Sequence, residues 1–201
     1  MWDKLFKALR VREVRNGLLF VLIMMVVFRI AANIPLPGID LVALQNFFEA
    51  NQLLGLLNLF SGGTIRNFSI VALGVAPYIT ASIVFQLLGM MIPRIEEIQK
   101  EGESGQRRIN QWTRLLTVPV AILQSFALIS LMRQSQFPIL PNATPLYLIS
   151  IICTVTAGTL FLMWIGEQIT EKGIGNGMSM IITVGIVSQL PTAVGMILQQ
   201  L

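Results

Sequence analysis

Long uncharged apolar runs, separated by short charged blocks, set the pattern of this chain. From Gly17 to Ile34 every residue is uncharged except Arg29, and Pro35 and Pro37 then stop any helix. No charge falls between Asn67 and Pro93, Leu115 and Met132, Gln134 and Gly166, or Gly173 and Leu201. A membrane-spanning helix needs about 20 mostly apolar residues. The runs therefore predict spans at 17–36, 69–92, 115–132, 146–166 and 176–197. Pro138, Pro141 and Pro145 assign the start of the fourth run to a loop, and Asn176 is placed to cap the fifth helix. Between the spans lie a tail at 1–16, a long segment at 37–68, and loops at 93–114, 133–145 and 167–175. The pattern is that of an all-α, polytopic membrane protein.

Composition agrees. Of 201 residues, 54% are apolar and 12% charged, against about 25% charged in soluble domains. The formal charge of +4 suggests nucleic acid until the cations are located. They cluster in the tail (Lys4, Lys7, Arg10, Arg12, Arg15), in loop 93–114 (Arg94, Lys100, Arg107, Arg108, Arg114) and at Lys172, with only Arg66 and Arg133 opposite. The positive-inside rule then puts the N-terminus in the cytoplasm. Arg29 and the absence of a small-residue cleavage site make the first run a retained span, not a signal peptide. Trp2, Leu5, Phe6 and Leu9 share one face of a short surface helix, suited to anionic lipid.

Little in the inventory supports catalysis. There is no histidine, and the single cysteine, Cys153, is expected to be a small buried hydrophobe. Gly102-Glu103-Ser104-Gly105 matches an intramembrane protease pattern, but in a charged loop expected to be a mobile tip, with Glu96 and Lys100 spaced for an i,i+4 pair. The glycine-dense 166–177 segment lacks both phosphate-cradle patterns and reads as a turn. No cofactor is implied, and the chain is not expected to be an enzyme.

Three features remain open on the residues alone. Within 37–68, Asp40 can cap a short helix with Leu41, Leu44, Phe47 and Phe48 on its apolar side. The run from Leu53 to Phe60 that follows is too short to span and too apolar for water. It either re-enters the protein or rests on the membrane surface. Pro77 is expected inside the second helix, bending it beside the small residues Thr80, Ala81 and Ser82, which suit either close packing or a cavity. Pro119 is an interior proline of the third helix. Arg29 is either functional or a side chain reaching back to the headgroups.

Several segments together resemble the SecY family of bacterial protein-conducting channels: Phe28-Arg29-Ile30 followed by 34–40, Leu59-Phe60-Ser61-Gly62-Gly63, 73–83, 100–105 and 164–177. They occur in the family's order and cover essentially the whole chain. The resemblance implies the first five helices of a ten-helix, inverted-repeat channel in the bacterial cytoplasmic membrane. Such a channel moves unfolded secretory polypeptides across and releases apolar segments into lipid. By motif position, Ile79, Ile83, Ile182 and Ile186 would contribute to an apolar pore ring. Leu53, Leu54, Leu56, Leu57, Leu59, Phe60, Ser61, Gly62, Gly63 and Thr64 would form the plug, tipping that segment towards insertion. Pro77, Thr80 and Ser82 would line a lateral gate, and Lys100, Arg107 and Arg108 would face cytoplasmic partners. Those partners would be a SecA-type motor ATPase and the ribosome. Small SecE- and SecG-type membrane subunits, signal sequences, nascent chains and the C-terminal half of the channel complete the set. Residues 1–201 alone are not expected to conduct. Part of a secondary transporter for a small solute is the alternative.

Overall fold

The computed structural model describes residues 11–50, 64, 68–134, 139, 144–173 and 175–188. The predicted surface helix of the tail, and 53–63 of the predicted plug, lie outside them. Among the described residues, seven helices are present: α1 Arg12–Ala32, α2 Leu41–Ala50, α3 Ala76–Met91, α4 Pro93–Lys100, α5 Glu103–Arg133, α6 Pro145–Lys172 and α7 Gly177–Val187. Val14–Ala32 of α1, α5 and α6 are each long and apolar enough to cross a membrane, as are α3 and α4 taken together across a 106° bend. The apolar α7 has 11 residues.

α1 divides cleanly into two faces. Leu18, Leu22, Val26 and Ile30 form an exposed stripe, while Met25, Phe28, Ala31 and Ala32 are buried. The exposed face suits lipid, which asks nothing of an apolar side chain. Past the helix, Leu36 N–H donates to Phe68 O and Ile70 N–H to Ile34 O, both at 3.0 Å. The two ends of the long 37–68 segment are thereby held side by side. Asp40 caps α2 as expected, its Oδ1 accepting from Val42 N–H at 2.9 Å and Ala43 N–H at 3.0 Å. Leu44 and Phe47 are buried, but Leu41 is 43% exposed. It sits in the first turn, beside the exposed Val42.

The second span departs from expectation at its start. Residues 68–75 are irregular turns, with positive φ at Phe68 and Gly74, and helix begins only at Ala76. Val71 and Ala72 are nonetheless fully buried. Irregular backbone is tolerated at such depth because protein surrounds it. Pro77 lies in the first turn of α3, not within the helix. There its missing N–H is one that no helical carbonyl would have bonded. It starts this helix and does not bend it.

The basic loop 93–114 also differs. It is a helical hairpin, α4 turning at Gly102 (φ 75°) into the first three turns of α5, and not a loose tip. Ile92, in extended conformation before Pro93, breaks the axis between α3 and α4. Glu96 and Lys100 pair at 2.6 Å. A Cβ on Gly105 would stand 1.7 Å from Ile98 O, so only glycine permits this tight return.

α5, with 31 residues, is about 45 Å long at 1.5 Å per residue. It therefore extends well beyond a ~30 Å hydrocarbon core. Its buried seam runs through Gly105, Ile109, Thr113, Thr117, Ala121 and Ser125, mostly small side chains that let neighbours approach. Pro119 is interior to it, as predicted. α6 likewise runs on to Lys172, so most of the expected 167–175 loop is helix, and α7 begins at Gly177. Cys153 on α6 is exposed, contrary to expectation, in an apolar groove with Ile122, Ile149 and Leu160. An apolar run measures removal from water, which lipid supplies as well as a protein core. Asn176 caps α7, accepting from Ser179 N–H at 3.2 Å.

Two apolar cores result. One joins Met25 and Phe28 of α1, Val71 and Val75, Leu162 and Ile165 of α6, and Met178 and Ile181 of α7. The other gathers Leu44 and Phe47 of α2, Phe68, Ile129 and Met132 of α5, and Ile151 and Val155 of α6.

Candidate functional site

The four isoleucines singled out by sequence fall on two different helices. Ile79 and Ile83, one turn apart on α3, are 37% and 48% exposed; on α7, Ile186 is 37% exposed and Ile182 half-buried. Leu87 extends the α3 stripe by another turn and is 50% exposed. α3 packs chiefly on α5, and α7 chiefly on α6. Ile79, Ile83 and Ile186 therefore stand on faces that the bundle leaves open, while Ile182 packs against the first core.

Of the gate candidates, Pro77 is buried and Thr80 is exposed. The Thr80 hydroxyl donates to Ala76 O at 3.0 Å and accepts from Gln124 Nε2 of α5 at 3.4 Å. Gln124 escaped the sequence reading. Its signal was a lone amide in the apolar run from Leu115 to Met132. Between Thr80 and Ser82, Ala81 is fully buried and permits close packing, while Ser82 lines a cavity. Of the plug residues, Thr64 alone is described. It is fully buried, its hydroxyl donating to Ala72 O at 3.2 Å. The three basic partner candidates are exposed, and each has a nearby carboxylate: Lys100 with Glu96, Arg107 with Glu103 at 3.8 Å, and Arg108 with Glu101 at 3.8 Å. Such exposed pairs hold their side chains weakly, about 0.2–1 kcal/mol. Exchange for another anion costs correspondingly little.

The cavity beside Ser82 has a volume of about 350 Å³ and is lined from four helices and the turn before α7. Tyr78 comes from α3, Asn110 and Arg114 from α5, Glu167 from α6, and Asn176 from the turn. Arg114 and Glu167 form an ion pair across it. Both residues were assigned to loops by sequence. They face one another because α5 begins 12 residues before the apolar run and α6 outlasts its own run by six.

Arg29 donates to Ser188 Oγ at 3.0 Å, just beyond α7, so it ties the far ends of α1 and α7 together. Nothing in the residue pattern signals that partner.

The comparisons bear on all of this. The family model described as SecY matches residues 69–201. Over 96% of its length the chain is 42% identical to the protein translocase subunit SecY of Streptomyces scabiei, covering 47% of that protein. Over 94% it is 45% identical to the subunit of Escherichia coli strain K12, covering 43%. The chain thus spans about half the length of the curated relatives it matches. Among solved structures, a protein-conducting channel superposes with a TM-score of 0.60 at 21% identity, over 88% of this chain and 37% of that one. Sec61 in the canine ribosome-channel complex from the endoplasmic reticulum gives the same values. At that identity these two speak for the fold alone, whereas the family model and the relatives decide membership: the chain belongs to the SecY family.

Proposed function

We propose that residues 1–201 supply the N-terminal half of a protein-conducting channel of the bacterial cytoplasmic membrane. It is a passive conduit and not an enzyme. The observation that carries this reading is the exposed isoleucine stripe of α3, with Ile186 exposed on α7, in a chain of the SecY family. Apolar rings suit the task because they coordinate no ion, disfavour a continuous water column and give a passing polypeptide nothing to bind. Each half would supply part of the ring, and the complementary half would close it.

In this reading five spans cross the bilayer: α1, α3 with its irregular lead-in, α5, α6, and α7 with the residues that follow. The basic hairpin of α4 and α5 would face the cytoplasm with the N-terminus, and Lys100, Arg107 and Arg108 would meet a SecA-type motor or the ribosome there. SecE- and SecG-type subunits would pack on the outer faces. Residues 53–64 would plug the pore from the opposite side. Thr80, Ser82 and Pro77 would lie along the gate through which apolar segments reach lipid. The bond between Thr80 and Gln124 would hold α3 on α5 as that gate parts. The relatives named above do not support the transporter alternative.

The test uses the complete channel with its second half. Cysteines replacing Ile83 and Ile186 should crosslink to an arrested secretory chain, and removal of residues 53–64 should raise the resting ion conductance in a planar bilayer. Labelling of both cysteines by lipid-phase reagents alone would place them outside the pore, and unchanged conductance would remove the plug assignment.

A further inference from the structure

The isoleucine stripes are carried by two separate helix pairs. α3 is fastened to α5 by the Gln124–Thr80 hydrogen bond and by Phe85 against Trp112, with ring centroids 6.2 Å apart. α7 is fastened to α6 at a point with no slack: a Cβ on Gly177 would stand 2.0 Å from Gly166 O, and Gly177 N–H donates to Thr170 Oγ1 at 2.9 Å. Between the pairs lies the polar cavity of about 350 Å³. Among the described residues, a single ion pair joins two of the membrane-crossing helices, and it crosses this cavity: Arg114 of α5 with Glu167 of α6.

We propose that the Arg114–Glu167 ion pair is a brace that fixes the spacing of the two stripe-bearing helices, and with it the width of the closed aperture. Glu167 directly follows Gly166, the glycine whose carbonyl meets the start of α7. A shift of Glu167 therefore moves α7 without intervening side-chain play. On the other side, Arg114 stands two residues from Trp112, the ring that rests on Phe85 of α3. The coupling path is contiguous, from α3 through α5 and α6 to α7. Elsewhere α5 and α6 touch through small and apolar side chains, which resist separation but not sliding. An ion pair between fixed positions on the two helices adds direction. The Glu167 side chain is 18% exposed and that of Arg114 43%. Loss of either one leaves its partner charged and partly enclosed, which favours opening of the cavity to water. Arg114 and Glu167 are thus positioning residues, acting on the ring through their helices.

The brace rests on the channel reading above, so its test has one readout independent of transport. In the complete channel in nanodiscs, spin labels on Gln86→Cys of α3 and Thr183→Cys of α7, both exposed, report the spacing. Arg114→Ala and Glu167→Gln should each lengthen and broaden that distance. Each should also raise the resting ion leak about fivefold, at the low end of coupling energies between sites. The exchange Arg114→Glu with Glu167→Arg should restore both. A residue needed only for folding would lower the yield and leave the spacing of the folded fraction unchanged. An unchanged distance in both single variants, or a charge exchange no better than either, overturns the brace. If Ile83→Cys and Ile186→Cys fail to crosslink to a secretory chain while the distance still responds, the channel reading falls and the brace stands.

Discussion

The two ends of the bundle are held together by different means. At the end where α2 sits, Leu44, Phe68, Met132 and Ile151 interlock in an apolar core with almost no exposed surface. At the basic end, beside the core that holds Ile165 and Met178, helices stand around a polar cavity and are tied by discrete contacts: Thr170 with Gly177 and Arg114 with Glu167. A packed core has one best arrangement and resists change over its whole area. A set of polar ties can be released one at a time, at a modest cost for each. A bundle that must keep its shape at one end and yield at the other would be divided in this way.

The contrast orders the expected effects of substitution on unfolding of the complete channel in detergent. Gly158→Leu should be the worst, at least ~4 kcal/mol. A Cβ there would stand 1.9 Å from the backbone oxygen of Ile70, which cannot step aside as a side chain would. Leu44→Ala, fully buried against the core, should cost about 3 kcal/mol in denaturant titrations. A cost under about 1 kcal/mol would mean that this core collapses easily, and the contrast between the ends would weaken. Asp40→Ala removes a helix cap with two backbone bonds and should cost ~1 kcal/mol, recovered in part by Asp40→Asn. Least of all, Lys100→Ala at the basic end should shift stability by no more than ~0.5 kcal/mol, since its pair with Glu96 is exposed. A large loss there would show that α4 is anchored more firmly than its exposure suggests.

Much of this fold was legible because lipid writes a simple rule into sequence. Runs of uncharged residues fall on the helices long and apolar enough to cross a membrane, and Asp40, Asn176 and the Glu96–Lys100 spacing gave local structure correctly, since caps and i,i+4 pairs depend on near neighbours alone. Ends of helices were harder. Outside the hydrocarbon a helix need not be apolar, so α5 and α6 continue into charged sequence where hydropathy sees a loop. The lead-in at 68–75 was misread for the reverse reason: an apolar stretch in irregular conformation looks like helix when both are buried. The proline at 77 held a clue, because a first-turn position is its least costly place in a helix. Arg114 with Glu167, and Arg29 with Ser188, lay beyond reach. Each pair is distant in the chain and meets only once the helices have been arranged.

The pairing of Ile34 and Leu36 with Phe68 and Ile70 has a mechanical corollary. The end of α1 and the lead-in to α3 meet at one mooring point, so a load on either strand is shared by both.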